Sequence, residues 1–154
     1  MEINIYLVLS PVEKIIPRLL EKVYEAGERC LFHVPSEEEA EEWNKLLWTY
    51  TQKSFLPHGT TKDVYPERHP IWISSKMQNI NNSSVFLTME ALKDIPATHF
   101  TKIIYVLCIH TQDGITLAQQ HIKEYTNKKL NLKIWRQTPD SKWQNIEPSQ
   151  VDLI

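Results

Sequence analysis

The sequence predicts an α/β layered domain with a largely parallel sheet. Short runs rich in β-branched and aromatic residues alternate with amphipathic stretches that open on helix-capping residues. The most apolar segment, 101–109, suits a central strand covered on both faces. At 154 residues, 42% apolar and 23% charged, the chain has the size and composition of one globular domain.

The elements follow in order. Residues 3–9 read as a strand. Ser10-Pro11-Val12-Glu13 then offers an N-cap, a proline at the first helical position and a capping-box glutamate. Val12, Ile15, Ile16, Leu19, Leu20 and Val23 recur at helical spacing, and Gly27 is a natural stop. Pro17 interrupts that pattern, as a kink or as the true helix start. A strand over 30–34 leads into a second capping box, Ser36 to Glu39, with Glu37–Glu39 at the positive end of the helix dipole. That helix runs through Trp43, Leu46, Leu47 and Trp48. Polar loops at 59–70 and 76–84 frame strands at 71–74 and 85–88. A helix over 111–128 and a strand over 130–136 complete a domain spanning 1–136. Residues 137–154 read as a loose or docking tail.

Composition narrows the function. A net charge of -2 argues against a protein built chiefly to grip nucleic-acid phosphates. The N-terminus lacks the basic region of a signal peptide, and no run reaches the length of a membrane span. Cys30 and Cys108 lie in apolar strands without CxxC spacing, as expected of reduced thiols in a cytoplasmic protein. Only three glycines occur, at 27, 59 and 114, so no glycine-rich phosphate loop can be written and no nucleotide cofactor is expected. The six histidines form no HxxxH or HExxH pair, so no metal site is expected either. The sequons within Asn81-Asn82-Ser83-Ser84 carry no meaning in a cytoplasmic protein.

Two features stand out. Trp48 falls off the centre of its helix stripe, and Phe55 and Leu56 sit in a connection beside Pro57 and His58. Such aromatics suit a partner surface or, equally, a lid over the helix end. His58 could instead anchor a small cytosolic enzyme site with His69 or Cys108, though no GxSxG elbow accompanies it. Secondly, residues 121–136 hold Lys123, Lys128, Lys129, Lys133 and Arg136 against one acid, Glu124. With apolar Leu117, Ile122 and Tyr125 interleaved, this stretch suits an acidic peptide ending in a hydrophobic residue, or is simply solvated helix charge.

At LWTYTQKSFLPHG the sequence resembles the chi subunit family of bacterial DNA polymerase III holoenzyme, which shows Leu-Trp, a short spacer, then Ser-Phe-aliphatic-Pro-His. HPIWISS, FTKIIYVL and IKEYTNKKLNLKIW extend the resemblance over nearly the whole chain. It implies a Rossmann-like single domain with helices on both sheet faces and neither nucleotide nor catalysis. It implies an accessory subunit of the clamp-loader complex that binds the acidic C-terminal tail of single-stranded DNA-binding protein. By the resemblance Trp48, Phe55, Leu56, Pro57 and His58 face a psi subunit, where present, or a helicase. The tail falls to Gln119, Ile122, Lys123, Lys128 and Arg136. Gln119-Gln120 stand where the family commonly carries arginine, and Ile122 replaces an aromatic.

Overall fold

The computed structural model describes residues 1–50, 56–94 and 100–154. Its strands are β1 (Glu2–Val8), β2 (Cys30–His33), β3 (His58–Thr60), β4 (Ile71–Ser74), β5 (Val85–Thr88), β6 (Lys102–Cys108), β7 (Asn131–Gln137) and β8 (Trp143–Ile146). They form one sheet in the order β3-β4-β2-β5-β6-β1-β7-β8. Every pairing is parallel except β7 with β8. Among the described residues three α-helices connect them: α1 (Val12–Glu25), α2 (Glu37–Thr49) and α3 (Gln112–Asn127). The expected Rossmann-like α/β class is what the chain adopts.

Helices cover both faces because successive strand residues point to opposite sides. Ile16 and Leu20 of α1 and Trp43 and Leu47 of α2 pack with Phe32, Ile73 and Leu87 on one face. Ala118, Ile122 and Tyr125 of α3 pack with Ile3, Ile5, Tyr105 and Ile134 on the other. The central strands are buried nearly throughout, which explains their unbroken apolar runs.

Several local expectations shift. Pro11, not Ser10, is the N-cap of α1, and it makes no side-chain cap bond. Ser10 Oγ instead accepts a 2.8 Å bond from Gln137 Nε2, while Gln137 Oε1 accepts from the Leu9 and Ser10 amides. A buried glutamine thus ties the ends of β1 and β7 together, and the local capping signal loses to a bond made across the sheet. Pro17 lies inside α1 on its buried side, so the helix neither starts nor stops there. Ser36 does cap α2, accepting from the Glu39 amide at 3.2 Å. The 59–70 loop holds a short edge strand, β3, and a 3-10 turn at Pro66–Arg68. Asn81 is fully buried and donates to the carbonyls of Cys30 and His69 at 3.3 and 3.1 Å, a structural role for that Asn-Ser run.

Beyond Gln137 the chain turns back as β8, with Trp143 opposite Gln137, and ends in a 3-10 segment, Pro148–Leu153. That segment lies against α3.

Candidate functional site

The flank of α3 is where sequence-distant polar groups meet. Thr111 caps the helix by accepting from the Gly114 amide at 3.1 Å. Ala118, His121, Ile122 and Tyr125 then recur at i, i+3, i+4 and i+7 and are buried against the sheet. Gln119 and Lys123, one turn apart, are left on the side that meets Pro148–Leu153. Lys123 Nζ pairs with the Asp152 carboxylate at 2.8 Å. Gln119 Nε2 donates to the Val151 carbonyl at 3.3 Å, and Arg136 Nη1, from β7, donates to the Leu153 carbonyl at 3.3 Å. Val151, 5% exposed, plants its side chain in the α3-side core.

Of the five residues expected there, Gln119, Lys123 and Arg136 converge on one short segment. Lys128 does not join them: its ammonium donates to the Lys93 carbonyl at 2.7 Å and lies over the Tyr125 ring. Ile122 is fully buried and supports the face from beneath without offering contact surface. Its helical position belongs to the stripe that the sheet demands.

Beside this flank a buried histidine stands between two tyrosines. The His121 ring lies 4.4 Å from the rings of both Tyr105 and Tyr125, whose hydroxyls bond to each other. His121 Nε2 has no hydrogen-bond partner among the described residues. Burial first, and Lys128 second, push its pKa down to about 4. The imidazole is neutral at physiological pH.

The second expected surface is divided. Trp48 is 58% exposed, as its position off the α2 stripe predicts. Its ring meets that of His58 edge-on at 5.4 Å. His58 is buried, with Nδ1 2.7 Å from the Leu56 carbonyl and Nε2 3.3 Å from the Asn44 carbonyl. Leu56 is core at 3% exposed, and Pro57 is half-buried. Phe55 lies outside the described residues. A half-open Trp48 implies that Trp48→Ala changes stability by no more than about 1 kcal/mol, the scale of one exposed aromatic contact. A circular dichroism melt checks this.

An enzyme site joining His58 to Cys108 is not what the fold builds. His58 is on the edge strand β3 and Cys108 on β6, four strands or about 19 Å across the sheet, and Cys108 is further along it because His58 lies level with Lys102. Burial raises the Cys108 thiol pKa, with Glu13 adding to the effect, which opposes thiolate formation. His69 does lie near, its ring packed over Gly59.

Residues 2–133 match the family described as DNA polymerase III chi subunit, HolC. The chain belongs to the DNA polymerase III chi subunit family. It is also 30% identical over 138 residues to a protein of Rickettsia prowazekii (strain Madrid E) named "Probable DNA polymerase III subunit chi", covering 86% of this chain and 84% of that one. The chi-family match takes in all of α3 but stops before Arg136, β8 and Pro148–Leu153. Of the polar cluster on α3, only Gln119 and Lys123 lie within the matched span; Arg136 and the groups of Val151, Asp152 and Leu153 lie beyond it.

This chi-family chain also carries a cavity that sequence reading did not anticipate. About 380 Å³ opens between α1 and the β1–β7–β8 end of the sheet, lined by Tyr6, Ile15, Arg18, Lys22, Trp135 and Trp143. Arg18 and Lys22 stand one turn apart, a signal visible in sequence. Trp143 reaches the site only because β8 folds back on β7, and its ring meets Tyr6 edge-on at 5.5 Å. Among the described residues no group of three or more His, Cys, Asp or Glu could hold a metal ion. No described helix is long and apolar enough to cross a membrane.

Proposed function

We propose that the chain is a non-catalytic, cytoplasmic accessory subunit of the bacterial DNA polymerase III clamp-loader complex. On this reading it links the replisome to the acidic C-terminal tail of single-stranded DNA-binding protein. The supporting observation is the flank of α3, where Lys123, Gln119 and Arg136 hold an acid and two carbonyls set between aliphatic side chains. A lysine paired with carboxylate at 2.8 Å is the charge-assisted contact that an acidic tail would make. The local excess of lysine in a chain of net charge -2 favours that approach. Lys128, at the far end of α3, extends the field without sharing the contact.

The Trp48 face, with Pro57 beside it and the buried His58 ring supporting Trp48 from beneath, is the proposed docking surface for a psi subunit or a helicase; Phe55, proposed for the same surface, lies outside the described residues. That face lies at the β3 edge, so both partners could be held at once. Residues 137–154 are proposed as an appendage to the 1–136 domain rather than a separate one.

Titration of the full chain with a peptide ending in acidic residues and phenylalanine, read by intrinsic tryptophan fluorescence, tests the assignment. Saturable binding at low salt is expected, and Lys123→Glu should weaken it by at least about 1 kcal/mol, the scale of one charge-assisted bond. Absence of saturable binding would remove the tail-receptor reading. A single-stranded oligonucleotide bound with steep salt dependence would point instead to direct nucleic-acid binding.

A further inference from the structure

The groups proposed to receive an external acidic tail are already engaged by the chain itself. Val151-Asp152-Leu153 presents an acid between two aliphatic residues, the same chemistry as the proposed ligand. Val151 is sunk into the α3-side core, Asp152 pairs with Lys123, and the Val151 and Leu153 carbonyls accept from Gln119 and Arg136. The segment is shaped for this position. Glu147 and Gln150 form a reciprocal capping box that holds its 3-10 turn, and β8 delivers it after pairing with β7.

We infer that Pro148–Leu153 is a built-in competitor, which covers the acidic-peptide site on α3 and must be displaced before an external acidic tail can bind there. The inference rests on the tail-receptor reading of that flank. With Lys123, Gln119 and Arg136 all engaged by residues 151–153, an external acid meets a site whose donors are already taken. The outcome is therefore an exchange: external acid replaces Asp152, and the apparent affinity falls by the fraction of time the segment is docked. The ionic contact is weak enough to be exchanged, because the Lys123 and Asp152 side chains are 54% and 74% exposed, and the buried Val151 is the part that the hydrophobic end of an external tail has to replace. The segment also lies beyond the residues matched by the family, so this control would belong to chains carrying such an extension.

Charge reversal in the full-length chain tests it. Asp152→Lys breaks the Lys123 pair at a solvent-exposed position and leaves the fold intact. It should speed amide hydrogen exchange across 148–154 and tighten the acidic, phenylalanine-ended peptide roughly three- to fivefold, the range open to one exposed ion pair. Asp152→Asn should do the same to a smaller extent. The swap Lys123→Glu with Asp152→Lys should restore slow exchange in 148–154 yet lose the peptide. If Asp152→Lys binds the peptide no tighter than the parent while Lys123→Glu still weakens it, self-occlusion is overturned and the receptor reading survives. If neither the parent nor Asp152→Lys binds the peptide, both fall.

Discussion

Gly114→Ala should destabilise the protein by about 2–3 kcal/mol, although the same change in an ordinary helix interior stabilises by up to about 1 kcal/mol. The sign is reversed by where α3 begins. A Cβ at Gly114 would sit 2.3 Å from the Cys108 carbonyl oxygen and 3.3 Å from its carbon. Those are backbone atoms at the end of β6, so no side-chain rotation relieves the contact. Either α3 lifts from the sheet, uncovering part of the core formed with Ala118 and Ile122, or the end of β6 bends away from β1. Thr111 caps this amide, so a shift of the first turn loses that bond as well. A chain of this size should lose several degrees of melting temperature. Gly27→Ala is the control. There the backbone is at φ 75° but nothing lies within 4 Å, so the cost is only that of a left-handed conformation, about 1 kcal/mol. A melt in which Gly114→Ala equals or exceeds the parent would show that helix and strand are not in this close contact.

Acid should weaken the fold through His121 before the carboxylates are protonated. The ordinary histidine pKa of 6.5 falls to about 4 at this buried position, so between those values the unfolded chain binds a proton that the folded chain refuses. Stability from this group is complete above about pH 6.5 and is lost as pH drops toward 4, by about 3 kcal/mol in all. His33, whose pKa burial also lowers, contributes in the same direction. Glu37 and Glu2 act at lower pH, since hydrogen bonds from Ser75 and Lys133 respectively hold their carboxyls below the usual value. The His121 share is therefore isolated by difference. Urea midpoints between pH 4 and 8 should slope less for His121→Phe than for the parent, and the two should run parallel above pH 7. Parallel curves across the whole range would show that His121 is protonated as easily in the fold as outside it.

Legibility in the sequence varied with the range of the interaction concerned. The strand at β4 and β5 and the helix spans of α2 and α3 could be read almost to the residue, because periodicity and caps such as Ser36 and Thr111 act within one turn. The capping signal at Ser10 misleads because the partner of its hydroxyl, Gln137, is 127 residues away. The strand β3 is invisible in the sequence because three residues without alternation carry no strand signal, and its formation depends on the waiting edge of β4. Trp48 was recognisable as off-stripe from spacing alone. Leu56, seven residues beyond the end of α2, needed the fold to place it in the core.

The sequence by itself determined the layered α/β class, the absence of a phosphate loop and the basic character of the 121–136 region. Those properties depend on composition and on neighbours within a few residues. Only the tertiary structure decided which of the basic residues act together. Lys123 and Arg136 belong to different elements, and Asp152 and the Leu153 carbonyl reach them respectively through a hairpin whose pairing no local pattern encodes. The same packing buried Ile122, sent Lys128 to the other end of the helix and desolvated His121. Whether a side chain meets solvent, core or an opposite charge is set by strand order and register, and these emerge only when distant segments bury one another.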